Sequence, residues 1–186
     1  MKTTITILSD NQAGEGFESE HGLSWLIDAS GKILLDAGAS DLFLKNAQRL
    51  NIDLSVVNAI ALSHGHWDHG NGLRFLKKGE VTCHPGVFRQ RYSRAGTRSV
   101  GLSFTEAEMV GRLSFKKSSS PVYLNERVVF LGEIPRKFEF ENTPTYFTLA
   151  NGDEDLLPDD SALAIHHNDE LIVLTGCAHS GVCNIV

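Results

Sequence analysis

Four side chains that commonly bind metal ions lie within six consecutive residues of the segment 62–72, LSHGHWDHGNG. They are His64, His66, Asp68 and His69. Imidazole nitrogens and carboxylate oxygens are ligands of zinc, iron and manganese in proteins. Histidines two residues apart in an extended loop point in the same direction, and Gly65 leaves the space beside them open. A loop of solvated histidines is the alternative, but so dense a cluster favours a metal site.

A buried strand is expected to carry this cluster. Residues 56–62 form a short, continuous apolar run, which is typical of a strand covered on both faces. Asp68 and His69 would then begin a helix whose start faces the same end of the sheet, where a second ion would lie. Two ions at such sites are typically about 3.5 to 4 Å apart.

Strands and helices alternate around this segment. Alternating or continuous apolar residues predict strands over 3–8, 23–27, 33–35 and 80–83. Apolar spacing predicts a helix over 42–50 that Asp41 caps and Asn51 ends. Two later hairpins are predicted, the first from 122–124 with 128–131 and the second from 162–165 with 171–174. These patterns predict an α/β protein with mixed sheets.

Composition excludes several classes of protein. Hydrophobic residues at 41% and charged residues at 22% predict one globular domain spanning residues 1–186. A formal charge of -6 argues against nucleic-acid binding. No stretch approaches the roughly 20 apolar residues that span a bilayer, and no signal peptide is visible, so a cytoplasmic protein without membrane partners is expected. The three widely spaced cysteines favour reduced thiols.

The cluster is also similar to a known signature. His64 to His69 resembles the H-x-H-x-D-H motif of the metallo-β-lactamase superfamily. Asp36 in LLDAG resembles the aspartate of the family's D-x-G turn, which orients a metal ligand, and residues 21–24 resemble the strand before that turn. The resemblance implies an αββα sandwich of two mixed sheets with two divalent ions along one edge. Zinc is the first expectation, and iron or manganese are the alternatives.

Two further segments resemble one branch of this family. Residues 175–181, TGCAHSG, resemble the GCxHxG segment of the branch that includes an archaeal methanopterin-pathway dihydropterin ribofuranosyl-aminobenzene phosphate synthase. Residues 132–136 are similar to that branch too. Relatives continue past the GCxHxG segment with a helix, a strand and a last histidine ligand, whereas this chain stops at Val186. The expectation is therefore a fold without its C-terminal segment, in which the second ion lacks one partner unless another residue or subunit supplies it.

Three later residues are candidate ligands. An antiparallel hairpin over 162–174 would bring Asp160 close to Cys177 and His179 at its open end. His179 is the first choice because of its motif, with a buried structural histidine as the alternative. Cys177 stands where relatives place a bridging aspartate or a cysteine ligand, but a small buried side chain is equally open. Asp160 is either a ligand or a turn residue beside Asp159.

The resemblance implies hydrolysis by metal-activated water. His64, His66 and His179 would hold the first ion. Asp68 would bind the second ion and orient the attacking water, while Asp36 would orient a ligand.

The substrate is expected to be a small molecule, and residues 84–98 give the clearest indication of its class. This segment contains four arginines and no acid, and guanidinium groups bind phosphate. Arg91 is therefore a candidate substrate-binding residue, although a solvated basic loop is the alternative. His84 would line the pocket or serve as a turn residue before Pro85. Aromatic residues that would cover the pocket, or pack in the core, are Phe138, Phe140, Tyr146 and Phe147.

These features favour a metal-dependent hydrolase of a small phosphorylated or ester-like molecule. One alternative is a synthase like the methanopterin-pathway enzyme, and another is a non-catalytic domain that binds metal or ligand. Association between copies of the chain stays open.

Overall fold

The computed structural model of the chain describes residues 2–94, 98–141 and 146–186. The strands in chain order are β1 (Thr4–Ser9), β2 (Ser24–Asp28), β3 (Lys32–Leu35), β4 (Ala59–Ala61), β5 (Gly79–Cys83), β6 (Arg91–Ser93), β7 (Leu113–Lys117), β8 (Val122–Tyr123), β9 (Val128–Phe130), β10 (Phe147–Leu149), β11 (Ala162–His167) and β12 (Glu170–Thr175). The α-helices are α1 (Leu42–Arg49), α2 (Trp67–Gly70) and α3 (Val182–Ile185). Residues 95–97 of the arginine-rich segment lie outside the described residues.

Two β-sheets form the central layers of the described chain. The larger has the order β1-β2-β3-β4-β5-β7, with antiparallel pairs as far as β3 and parallel pairs beyond it. The smaller has the order β12-β11-β9-β8 and is antiparallel throughout. The mixed sheet is therefore the larger one. Strands β6 and β10 pair separately as an antiparallel ribbon.

Alternate residues of β3 pack in two different cores because successive side chains of a strand point to opposite faces. Ile33 and Leu35 face the smaller sheet, where they join Leu163 in one buried cluster. Leu34 points the other way and packs with Phe43 of α1. Each fully buried side chain of this size contributes about 1.5 to 3 kcal/mol. The larger sheet is thus covered on both faces.

The smaller sheet also carries a helix on its outer face. Ala162 of β11 points away from the inter-sheet core and clusters with Ile134 and with Ile185 of α3. The layers of the described chain therefore follow the order α1, larger sheet, smaller sheet, α3, which is the expected αββα sandwich.

Two local predictions need correction. The side chain of Asp41 makes no capping hydrogen bond to α1, because its carboxylate instead lies 2.9 Å from the Lys45 ammonium one turn later. The apolar run over 56–62 gives only the short strand β4, because Leu54–Val56 forms a 3-10 turn in which Asp53 accepts a hydrogen bond from the Ser55 amide.

Within the described residues, no helix has the length and apolar character needed to cross a bilayer.

Candidate metal centre

Several of the predicted site residues follow three parallel strands of the larger sheet. Asp36 follows β3, the segment 62–69 follows β4, and His84 follows β5. Because β3, β4 and β5 run parallel, their carboxyl ends lie at the same edge of the larger sheet. The open end of the hairpin of β11 and β12 brings Cys177 and His179 to this edge. The site therefore lies between the two sheets.

The loop that carries the histidines needs glycine at position 65. A Cβ atom added there would overlap the carbonyl oxygen of Val87. The Gly65 amide donates a hydrogen bond to Asp159 Oδ2 at 2.8 Å. His66, the next residue, has extended backbone angles and precedes α2. These contacts fix the two histidines on the same side of the loop.

His64, His66 and His179 form the first group of candidate ligands. Each offers one nitrogen, and these atoms all lie within 4.8 Å of one another. His64 Nε2 and His66 Nδ1 are 3.0 Å apart. His66 Nε2 and His179 Nε2 are buried, with no hydrogen-bond partner in the described parts of the chain. Buried polar atoms without partners are rare and costly, so a bound ion fits this group.

The protonation of these imidazoles also suits a cation. Burial lowers the pKa of His66 to about 2 and that of His179 to about 4. Burial likewise lowers the pKa of His64 well below its ordinary value. Neighbouring histidines add to each shift. All three rings are therefore neutral near pH 7, and neutral imidazole is the form that binds metal.

Hydrogen bonds fix which nitrogen of His64 carries the proton. Ser63 Oγ donates its only hydrogen to Asp36 Oδ2 at 2.7 Å. Ser63 Oγ must therefore accept a hydrogen from His64 Nδ1, which lies 2.9 Å away. This leaves a lone pair on His64 Nε2, the atom that faces His66.

His64, His69 and Cys177 form the second group. The Cys177 thiol lies 3.1 Å from His69 Nε2. Burial alone would lower the pKa of His69, but the Asp36 carboxylate, 2.7 Å from Nδ1, raises it well above its ordinary value. This contact places the Nδ1 proton toward Asp36, so that Nε2 faces the thiol. Asp36 thus contacts His69 directly and His64 through Ser63.

Asp68 lies at the edge of the second group. Its Oδ2 atom is 3.7 Å from His69 Nε2 and 3.3 Å from His21 Nε2. The carboxylate is largely buried and belongs to neither group of the described residues.

Asp160 is buried beside the first group and holds the chain that carries His179. Its Oδ2 atom accepts a hydrogen bond from the Ser180 amide at 2.7 Å, and burial raises the pKa of its carboxyl. Arg136, in the segment that resembles the synthase branch, donates to the His179 carbonyl at 3.1 Å. Asp160 therefore holds the segment that carries the candidate ligand His179. Among the described residues, it belongs to neither ligand group.

The prediction that Arg91 binds substrate is wrong. Its side chain has no exposed surface, and its guanidinium lies within 3.0 Å of Asp155 and Asp159 and donates to the Gly86 carbonyl. A phosphorylated substrate cannot reach it. The neighbouring guanidinium keeps the pKa of Asp159 below its ordinary value despite the opposing effect of burial. The sequence does not predict the role of Asp159, because no residue near it in the chain indicates a contact with Gly65.

His84 is buried and serves partly as a turn residue. Its Nδ1 atom accepts a hydrogen bond from the Gly86 amide at 3.0 Å, and its Nε2 atom lies 3.3 Å from Glu133 Oε2. The loop after His84 packs on Gly65, so His84 borders the metal loop without joining either ligand group of the described residues.

One of the four predicted aromatic residues lies over the first group. The Phe147 ring is 4.5 Å from the His66 ring and 5.6 Å from the His179 ring, measured between centroids. Phe138 and Phe140 instead contact each other at 5.7 Å, and both are exposed. Tyr146 is also exposed.

Comparisons with known proteins agree with this geometry. Residues 20–87 match the metallo-beta-lactamase superfamily. A solved structure, Tm1679, described as a metal-dependent hydrolase of the beta-lactamase superfamily, superimposes with a TM-score of 0.84 at 34% identity. The alignment covers 97% of this chain and 68% of that one. The chain belongs to the metallo-β-lactamase superfamily. Membership implies a divalent metal ion, which the unpaired nitrogens of the first group fit.

Two proteins of Methanocaldococcus jannaschii are also similar to this chain. An uncharacterised protein is 32% identical over 191 residues, covering 98% of this chain and 72% of its own length. The second is 7,8-dihydropterin-6-methyl-4-(beta-D-ribofuranosyl)-aminobenzene-5'-phosphate synthase. It is 32% identical over 207 residues, and the alignment covers 98% of this chain and 70% of that protein.

Proposed function

We propose that this chain is a metal-dependent hydrolase that acts on a small, ester-like or phosphorylated molecule. The observation that carries the proposal is the first ligand group, in which buried nitrogens of His66 and His179 have no protein partner among the described residues. The likeness to Tm1679 supports the same reaction class, because that protein is described as a metal-dependent hydrolase.

The proposed cofactor is two divalent ions, with zinc as the first expectation and iron or manganese as alternatives. His64, His66 and His179 would hold the first ion, and Asp68, His69 and Cys177 would hold the second. A divalent ion in such a site lowers the pKa of water to about 7 and polarises the oxygen under attack. Nitrogen, oxygen and thiolate donors suit zinc well.

Other side chains would orient the reactants. Asp68, at the edge of the second group, would accept a hydrogen bond from the attacking water and orient it. Phe147 would exclude bulk water from the side of His66. Arg98 replaces Arg91 as the candidate for binding an anionic group, because its guanidinium carbon lies 5.2 Å from the centre of the Trp67 ring, one residue before Asp68. Among the described residues, no acid forms an ion pair with Arg98.

Metal analysis and turnover together test the proposal. Protein purified without chelator should contain a bound transition metal and hydrolyse at least one substrate among phosphodiesters, lactones and thioesters. His66→Ala and Asp68→Ala should lower metal content and activity, while His166→Ala, which changes an exposed histidine of β11, should change neither. A wild-type protein that binds no transition metal would contradict the proposal, and full metal loading without turnover would favour a binding domain instead.

A second candidate is a synthase reaction on a pterin precursor. Its support is the 32% identity to the M. jannaschii synthase across 98% of this chain. This function predicts that metal-loaded protein binds a reduced pterin, seen as a change in pterin fluorescence, and leaves generic phosphoesters intact. Hydrolysis of those esters without pterin binding would exclude it.

A further inference from the structure

A cleft of about 570 Å³ lies on the α1 side of the larger sheet. Its floor is formed by Leu34 of β3 and Ile60 of β4, which both belong to the core cluster on that side. Residues 53–58, before β4, form one wall, and residues 75–78, before β5, form the other. The cleft therefore lies at the amino ends of the parallel strands β4 and β5, whereas the candidate metal centre lies at their carboxyl ends.

The lining of the cleft is mostly aliphatic. Four partly buried side chains along it pack against the core, namely Leu44, Leu54, Val57 and Leu76. Phe75, also along the cleft, is 43% exposed. Small-molecule sites typically have volumes of about 300 to 1,000 Å³ and walls that are mainly apolar. The size and lining of this cleft therefore suit an alkyl chain.

The start of β5 keeps the cleft open and turns one acid away from it. A Cβ atom added at Gly79 would lie 2.6 Å from Ile60 Cδ1, so the lack of a side chain at position 79 leaves the floor clear. Val81 packs in the core on the α1 side. Because side chains alternate along a strand, the Glu80 carboxylate points to the opposite face.

The charged groups that remain along the cleft favour an anion. Lys77 and Lys78 are exposed, and among the described residues no acid forms an ion pair with either of them. The Asp53 carboxylate already accepts a hydrogen bond from the Ser55 amide at 2.8 Å. Two unpaired ammonium groups thus border an apolar cleft in a chain whose formal charge is -6.

A peptide does not suit this cleft. Strands β4 and β5 are interior strands with a neighbour on each side, so the cleft offers no free sheet edge that an added strand could join. The aliphatic walls would also leave the polar groups of a peptide backbone without hydrogen-bond partners, which is costly. A small molecule with one charged end meets neither obstacle.

We propose that the cleft binds a free fatty acid, with the alkyl chain between the walls that carry Leu54 and Leu76 and the carboxylate at Lys77 and Lys78. This site is separate from the candidate metal centre and does not depend on the proposed reaction.

Displacement of a fluorescent fatty acid tests the proposal. Protein as purified is titrated into dansyl-labelled undecanoic acid below its micellar concentration, and the dansyl fluorescence should rise and saturate at one probe per chain. Dodecanoate should displace the probe. Dodecyltrimethylammonium, a cation with an alkyl chain of the same length, should displace it at least 5-fold more weakly, because it lacks the attraction to the lysines.

A variant that fills the cleft tests its position. Val57→Trp should weaken binding of the probe at least 10-fold, because the larger ring occupies the space of the alkyl chain. Val110→Trp is the matched control and should bind as wild type does, since Val110 is 78% exposed and lies outside the cleft. Circular dichroism checks that both variants keep the fold.

A variant of the lysines tests the charge and leaves the core untouched. Lys77→Glu combined with Lys78→Glu should weaken binding at least about 5-fold, since exposed ion pairs each contribute modestly. Lys137→Glu changes an exposed lysine outside the cleft and should have no effect.

The contrary outcomes are distinct from those of the proposed function. Absence of saturable binding, or unchanged affinity in both cleft variants, would overturn the fatty-acid site. Binding lost in His66→Ala and kept in Val57→Trp would place the carboxylate at the metal centre and also overturn it. Attachment to vesicles of anionic phospholipid without displacement by dissolved dodecanoate would identify a lipid surface instead. None of these results would alter the case for a metal-dependent hydrolase.

Discussion

At the scale of single residues, Asp36 is hydrogen-bonded to Ser63 and His69, next to the candidate ligands of both groups. Its carboxylate accepts hydrogen bonds from the Ser63 amide, the Ser63 hydroxyl and His69 Nδ1, each at 2.7 Å. Through Ser63 it fixes the tautomer of His64, and directly it fixes that of His69. One buried side chain therefore orients imidazoles that belong to both groups.

Replacing Asp36 by Asn should weaken metal binding 10- to 100-fold, since this is the usual cost of losing a partner of a metal ligand. The backbone at Asp36 has a φ of 57°, which Asn also adopts, so strain is not expected. The amide would direct a hydrogen toward groups that already donate. Competition with a chromogenic chelator measures the affinity, and Asp28→Asn on the exposed end of β2 is the control. An unchanged affinity would show that Asp36 does not orient the ligands.

Replacing Gly65 by Ala should destabilise the protein by about 1 to 3 kcal/mol or more, the usual cost of inserting atoms into a packed site. The added methyl group would overlap the Val87 carbonyl, which is backbone and cannot rotate away. Urea unfolding gives the free energy. The control is Gly14→Ala, where an added Cβ atom meets nothing within 4 Å. Equal stability of the two variants would mean that the loop has more room than the contact indicates.

At the scale of elements, the ribbon of β6 and β10 supports the backbone of the ligand loop, residues 62–69, and covers one of its histidine rings. Arg91 of β6 is held between Asp155 and Asp159, and Asp159 in turn accepts the Gly65 amide. Phe147 of β10 lies over His66. The ribbon therefore connects a buried ion-pair network to the ligand loop.

Arg91→Ala should lower the free energy of unfolding by about 3 to 5 kcal/mol, because it leaves two buried carboxylates without their partner. The exposed Arg94→Ala is the matched control and should cost less than about 0.5 kcal/mol. Urea denaturation followed by circular dichroism measures both. If Arg91→Ala were as stable as wild type and changed only KM, the substrate-binding role rejected above would be restored.

At the scale of the whole molecule, the candidate centre joins the two sheets. His64, His66 and His69 follow a strand of the larger sheet, whereas Cys177 and His179 follow β12 of the smaller one. An ion held by ligands from both would crosslink the sandwich at one edge. Metal binding is thus expected to stabilise the fold as well as to supply chemistry.

Saturating zinc should raise the melting temperature by roughly 8 to 16 °C over protein in chelator. Ligand at about a thousand times its Kd contributes about 4 kcal/mol, and each kcal/mol shifts a chain of this size by about 2 to 4 °C. Differential scanning calorimetry measures the shift. His179→Ala should show a much smaller rise, because it removes the first group's ligand from the smaller sheet. A rise in that variant equal to wild type would place the stabilising ion elsewhere.

The sequence by itself determined an α/β protein with mixed sheets and the loop of candidate ligands, and the family resemblance of its motifs added the αββα sandwich. The segment 64–69 carries its candidate metal ligands in one short loop after a strand. The hairpin of β11 and β12 brings its two open ends close together. Periodicity and turn residues encode such local features, because they depend on neighbours in the chain. The GCxHxG resemblance added Cys177 and His179, which the structure brings together with the loop.

Only the tertiary structure decided which other polar residues reach the centre. Asp159 is 94 residues from Gly65 along the chain, and Asn11 is ten residues from His21. No sequence pattern predicts either contact. Arg91 has the sequence environment of a solvated basic loop, yet burial between two acids gives it a structural role. A side chain's hydrogen-bond partner depends on how distant segments pack, and that packing is a property of the whole fold rather than of a local pattern.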